Sequence, residues 1–224
     1  MVDYTVNDYH RKRHPEFFEN PDLRRAWADF SDRVYLSHVA AHQRVLEFGG
    51  GLGNNLLSVM KRAEVFMVEP GEEARQMAAA DGIKAVARLE ELPAELRFDT
   101  ILCRHVLEHV ENPHQTLCDL RDRLSPDGKL VLIVPCENWD MPPDPNDLNH
   151  HLYAWSPCTL GNLLASTGFK VLLWRFEYYG ARRKLLPLWR RFGGDAYTRA
   201  VRLVGRIGRF RELRFDAVRG SSDT

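Results

Sequence analysis

Two carboxylates and a run of alternating glycines are the residues in this 224-residue chain most plainly spaced for chemistry. Glu47 is followed by Gly49, Gly51 and Gly53, with Gly50 between them. The apolar Val45-Leu46 before the run and Asn54–Met60 after it read as strand, tight loop and helix. Glycines let bare backbone approach a ligand and accept positive φ. A helix start adds unpaired N–H groups and a positive dipole end. A nucleotide-like cofactor is the expected occupant. About 20 residues later the run Glu64–Val68 ends in Glu69, ahead of Pro70-Gly71. An acid at that strand end is placed to accept ribose hydroxyls. The dinucleotide fingerprint G-x-G-x-x-G fails in both registers, because Asn54 and Leu56 stand where glycine is required. That spacing opposes a nicotinamide-dependent oxidoreductase.

A second set of residues suits proton transfer. His105, His150, His151 and Tyr153 fall in segments following apolar runs, and histidine has a pKa suited to acting as a base near neutrality. His105-Val106-Leu107-Glu108-His109 also matches an H-x-x-E-H metal-hydrolase pattern. That chemistry requires a helix and a third ligand, whereas these histidines sit at a strand end. No metal is expected.

Five ordered segments resemble class I S-adenosylmethionine-dependent methyltransferases, in particular the group that includes the ubiquinone-biosynthesis O-methyltransferases. They are the acid-x-G-x-G-x-G loop at 47–53, the acid Glu69, and Phe98-Asp99-Thr100-Ile101 leading to His105–Pro113. The fourth is Leu124-Ser125-Pro126-Asp127-Gly128 with its following strand, where Asp127 replaces a glycine. The fifth is His151–Leu160 with Gly168-Phe169. The resemblance spans about residues 44 to 178. It implies S-adenosyl-L-methionine as cofactor and S-adenosyl-L-homocysteine as product. It implies that Glu47 receives the methionine ammonium and that Gly49, Gly50, Gly51, Gly53 and Asn54 make room for the methionine and ribose. Glu69 and Pro70 would stand at the ribose, backbone at Leu89 and Glu90 at the adenine, and Cys103 and Arg104 at the end of the fourth strand. Arg88 stands near the place where relatives carry an adenine-facing acid. The acceptor implied is a small molecule, or a lipid- or sugar-linked one, with O-methylation favoured and the base among His105, His150, His151 and Tyr153. A non-catalytic cofactor-binding subunit is the alternative; turnover of the methyl donor separates the two.

Alternating strands and helices from residue 44 onward imply a parallel sheet covered on both faces. With the resemblance, the expected fold is an α/β, Rossmann-like three-layer sandwich. Its mostly parallel seven-stranded sheet ends in an antiparallel strand, for which Leu213–Val218 is the candidate. Four regions follow. Residues 1–43 form a helical lead, with a helix starting at Asn20-Pro21-Asp22 and Tyr4, Tyr9, His10 and His14 available as a lid. Residues 44–179 form the cofactor-binding core, 180–210 a basic amphipathic insertion, and 211–224 the last strand and tail. The loop 136–149, long and proline-rich, reads as a binding loop or lid.

Equal numbers of basic and acidic residues, 31 each, conceal an asymmetry. Residues 182–224 carry twelve Lys/Arg against four acids, a surplus of eight, so residues 1–181 carry minus eight. Arginines alternating with Leu185, Trp189, Phe192, Val201 and Ile207 suit either a packed cover or a peripheral contact of residues 182–214 with an anionic membrane. Nucleic acid is disfavoured by the balanced charge and the lack of an N/D-P-P-Y motif. Four cysteines without a C-x-x-C pair read as reduced thiols of a cytoplasmic protein, one able to touch the membrane peripherally. The oligomeric state is left open.

Overall fold

The computed structural model describes residues 9–220 apart from 138, 139, 141, 143, 145 and 146. Tyr4, part of the 136–149 loop and the end of the tail therefore lie outside the described residues. Seven strands build one sheet: β1 (Arg44–Phe48), β2 (Glu64–Val68), β3 (Lys84–Val86), β4 (Phe98–Arg104), β5 (Leu124–Pro135), β6 (Phe169–Tyr178) and β7 (Arg211–Arg219). Their order is β3-β2-β1-β4-β5-β7-β6. The first five pair in parallel, and β7 inserts antiparallel to both β5 and β6. The expected last strand is present and is longer than its alternating core. The chain order reverses between β1 and β4, so their carboxyl ends flank the crevice where open α/β sheets bind ligands.

Both sheet faces are covered, which explains why the inner parts of β4 (Ile101–Cys103) and β5 (Leu130–Val134) read as continuous apolar runs. On one face pack α3 (Pro21–Val34), α4 (Glu72–Ala80) and α7 (Leu186–Ile207), contributing Leu23, Trp27, Phe30, Ala78, Tyr197 and Val201. On the other pack α5 (Pro113–Arg123) and α6 (Pro157–Ser166), contributing Leu117, Leu120, Leu160 and Leu164. Three of these helices start on a side-chain cap followed by proline. Asn20, Asn112 and Ser156 accept the amides of Leu23, Gln115 and Thr159, and the last pair forms a reciprocal capping box. Two short helices, α1 (Tyr9–Arg13) and α2 (Pro15–Glu19), precede α3.

The expected helix over 54–60 does not form. The segment is a series of turns ending in one 3-10 turn, Val59–Lys61. Its apolar spacing suits a helix, but the side chains of Asn54 and Asn55 are drawn into buried hydrogen bonds that shape the backbone otherwise. No helix dipole therefore points at this loop, and its own backbone N–H groups are what it offers a ligand.

The basic insertion is a cover. Its helix α7 packs on α3, with Trp189 Nε1 donating to Asp29 at 2.8 Å and Arg33 Nε donating to Asp195 at 2.5 Å. It breaks at Gly193, whose φ is 76°. Phe192, Leu203, Ile207 and Phe210 remain exposed, as do Leu172 and Trp174 on the edge strand β6. Among the described residues no helix is long and apolar enough to cross a membrane. All four cysteines are free thiols.

Candidate active site

The glycine loop leaves β1 with three residues in the left-handed region: Gly49 at φ 72°, Gly51 at 55° and Gly53 at 71°. Side chains are excluded for reasons of space as well. A Cβ on Gly49 would lie 2.2 Å from Val106, one on Gly50 2.5 Å from Met67, and one on Gly53 2.5 Å from Ile83. Parallel pairing of β1 and β2 brings Glu69 alongside the loop. Its carboxylate, only 3% exposed with its residue, accepts Gly51 N at 2.7 Å and Gly71 N at 2.8 Å. The loop is thus braced from below.

Glu47 closes the loop's other side. It is 1% exposed; its Oε1 accepts Asn55 Nδ2, and its Oε2 is buried without a partner. Burial drives its pKa up to about 8, against the opposing pull of Asn55 and Arg104. Asn55 also accepts Trp27 Nε1 at 2.9 Å and Ser31 Oγ at 2.6 Å, so α3 holds the loop. Arg24 does the same from one turn earlier, donating to Asn54 Oδ1 at 2.7 Å and Leu52 O at 3.0 Å. An unpartnered carboxylate oxygen behind a side-chain-free loop fits the ammonium end of S-adenosylmethionine, and Glu69 fits a diol.

Beside the loop opens a cavity of about 470 Å³, walled by α1 and α2 on one side and by the ends of β4 and β5 on the other. Tyr9, His10 and His14 line it. His10 Nε2 lies 3.2 Å from Glu69 Oε1, and its ring stands 3.2 Å from where a Gly51 Cβ would be. Gly49, Gly50, Gly51 and Asn54 line the cavity, as do Arg104, His105 and His151.

Arg104 and His105 converge on a residue the sequence reading left unassigned. Glu212, fully buried on β7, accepts Arg104 Nη2 at 2.8 Å, faces His105 Nε2 at 3.0 Å and accepts the Tyr35 hydroxyl. Burial alone would raise its carboxyl; Arg104, His105 and Tyr35 outweigh that and hold it down to about 2. Burial and Arg104 push His105 down to about 4, and its backbone is left-handed at φ 56°. A signal for Glu212 was present. Leu213, Phe215 and Ala217 face one side of a buried strand, which places Glu212, Arg214 and Asp216 together on the other, where charges must be paired.

His151 Nδ1 is 2.5 Å from Glu137 Oε1, and its ring centroid is 4.7 Å from that of His109. Glu108, His109 and His151 each bring one potential ligand atom to within 4.8 Å of the others. The H-x-x-E-H segment runs through turns, not a helix, and only His109 and Glu108 of it belong to this group. Both Glu108 carboxylate oxygens are buried without a hydrogen-bond partner, and burial raises the group to about 8.

The other named residues stand back from the cavity. His150 is exposed, with its backbone N donating to Asp147. Tyr153 donates its hydroxyl to Glu111 O at 2.9 Å and stacks on Trp155, an anchor for the loop. Leu89 is buried in the core, Glu90 and Pro70 are exposed, and Cys103 is fully buried in the core, where burial raises its thiol.

Comparisons with known proteins agree with this geometry. A profile of the methyltransferase domain family matches residues 9–179. An uncharacterized methyltransferase of Staphylococcus carnosus is 28% identical over 120 residues, 51% of this chain; the chain spans 58% of that relative's length. In fold, the chain is similar to a structure from Haloferax volcanii of the Trm112 methyltransferase activator complexed with a putative methyltransferase. The TM-score is 0.67 at 18% identity, over 99% of this chain and 100% of that one. It is also similar to the Burkholderia thailandensis 1,6-didemethyltoxoflavin-N1-methyltransferase, with a TM-score of 0.60 at 19% identity over 96% and 85% of the two chains. The loop braced on Glu69, the sheet order and the match over 9–179 together place the chain in the methyltransferase domain family, with the class I S-adenosylmethionine-dependent fold.

Proposed function

We propose that the chain is an enzyme that moves a methyl group from S-adenosylmethionine to a small-molecule or lipid- or sugar-linked acceptor, with oxygen the favoured atom. The observation that carries the reading is the pairing of Glu47 and Glu69 at the two sides of one side-chain-free loop. When bound, the cofactor supplies an already activated methyl, so the protein's work is alignment and exclusion of water. Glu47 and Asn55 would hold the ammonium end, the loop N–H groups and Asn54 the middle, and Glu69 the ribose.

An oxygen acceptor needs a base. His151 is the favoured one: it lines the cavity and Glu137 fixes its ring through Nδ1, which leaves the other nitrogen for a proton. His105 has Nε2 committed to Glu212 and is a weak base at about 4, so its role is to shape the wall. Tyr153 and His150 position the loop that carries His151. The exposed Phe192, Leu203 and Ile207 among the arginines of α7 support a peripheral contact with an anionic membrane.

Calorimetric titration with S-adenosylhomocysteine tests the cofactor site. The wild type should bind, and Gly51→Leu and Glu69→Ala should each lose at least about 100-fold in affinity while keeping their helical and sheet content; a loss of this size is about 2.7 kcal/mol. Unchanged affinity in both variants would refute the assignment.

A further inference from the structure

The catalytic cavity continues into a second, larger one. A groove of about 900 Å³ shares Pro135, Cys136, Glu137, Tyr179 and Arg182 with it and runs outward to Arg209, Phe210 and Arg211. It lies where the insertion leaves β6 and returns to β7. That junction is tightly built: Tyr179 N donates to Phe210 O at 3.3 Å, and a Cβ on Gly205 would come within 2.5 Å of Tyr179 N. Ala181 and Arg209, one on each side of the junction, are both left-handed, at φ 53° and 55°. Non-glycine residues in that region carry strain that must be held by their surroundings.

The groove's charge is one-sided. Three arginines line it, and Glu137, the single acid among its lining residues, already bonds His151. Arg182 is held over the rings of Trp27, Phe17 and Tyr179 at 4.9, 5.3 and 5.8 Å, and its closest carboxylate, Glu16, is 3.8 Å away. Arg211 lies 4.4 Å over Phe176. The neighbouring acids are turned away: Glu212 toward Arg104, and Glu177 toward Arg175, Arg202 and Arg214. Guanidinium groups fixed on aromatic faces, Arg182 meeting its one carboxylate only at the outer limit of an ion pair, are suited to bidentate capture of an oxyanion.

We infer that the methyl acceptor is an extended anion: its methylated atom lies in the inner cavity, and a phosphate or carboxylate remote from that atom lies in the outer groove against Arg182, Arg209 and Arg211. This deepens the methyl-transfer reading and rests on it.

The test starts with the 224-residue chain saturated with S-adenosylhomocysteine. Phenyl phosphate, benzoate, a short-chain phosphatidic acid below its micelle concentration, and neutral benzyl alcohol are then titrated in turn by calorimetry. At least one anion should bind ten times or more tighter than the alcohol, and the tightest one identifies the source as a soluble phosphate, a carboxylate or a lipid headgroup. The exposed double variant Arg209→Ala/Arg211→Ala should lose that preference and keep its affinity for S-adenosylhomocysteine. Arg199→Ala, an exposed arginine of α7 outside the groove, should behave as wild type. If S-adenosylhomocysteine binds but no anion is preferred, or if the preference survives the double variant, the inference is overturned. Failure to bind S-adenosylhomocysteine at all would overturn the methyl-transfer reading beneath it.

Discussion

The two walls of the cavity are built by different means. The wall proposed for the cofactor is backbone: glycines with little or no room for a side chain, braced by one carboxylate and backed by another over a span of 23 residues, 47 to 69. The wall proposed for the acceptor is side chains from α1, α2, the end of β4, the loops after β4 and β5, and the segment after β6, brought together only by the fold. A backbone wall recognises a constant ligand; an assembled wall can change its ligand by single substitutions. Behind the second wall lies a buried ion pair, Arg104 with Glu212.

Breaking that pair should have the largest effect. Glu212→Gln leaves Arg104 buried among Trp27, Tyr35 and Tyr179 without its counter-charge. Removal of one partner of a buried pair costs about 3–5 kcal/mol. Urea unfolding should show a loss of that size, and the double change Arg104→Met/Glu212→Leu should cost less than Glu212→Gln alone. A loss below about 1 kcal/mol, the range of exposed pairs, would mean that the pair is not the keystone of the acceptor wall.

The same contrast explains what the sequence disclosed. Strand ends, the glycine loop and Glu69 are local patterns, readable from period and spacing because backbone geometry demands particular residues there. The helix expected over 54–60 gives way to turns with one 3-10 segment, because Asn54 and Asn55 bond elsewhere. Glu212, Tyr179 and Arg182 join the site only because β7 inserts between β5 and β6, which places a residue near position 212 next to one near 104. His150 and His151 are adjacent in sequence and have the same chemistry, yet one faces solvent and the other the cavity. No composition or spacing rule separates them.

On the cofactor side the effects should be smaller and visible in pH. Glu47 has its pKa raised to about 8 from an ordinary value of 4.5. Between those values the folded protein holds a proton that the unfolded chain has released, so this group's protonation favours folding at the acid end and the benefit is lost as pH rises through the window. Pairing with an ammonium requires the ionised form. Binding of S-adenosylhomocysteine near pH 7 should therefore release a proton, and affinity should climb by up to about tenfold per unit between pH 6 and 8. Calorimetry in buffers of different ionisation enthalpy measures the release directly. Glu47→Gln should bind more weakly and lose the slope; a wild type with flat affinity and no proton release would remove Glu47 from the ammonium site.

The smallest effect concerns the place where the two walls touch. His10, from α1, rests on Glu69 Oε1, one oxygen of the carboxylate proposed for the ribose. A ribose that took that oxygen would displace His10, and apparent affinity would then be reduced by the fraction of molecules in which α1 had not yielded. His10→Ala removes the competitor without touching the loop. Affinity for S-adenosylhomocysteine should rise by about two- to fivefold, mostly through faster association. A stopped-flow measurement separates the alternatives. Faster association marks His10 as a cover over the cofactor wall, whereas slower association or a weaker complex would make it one of the cofactor's own contacts and merge the two walls into one.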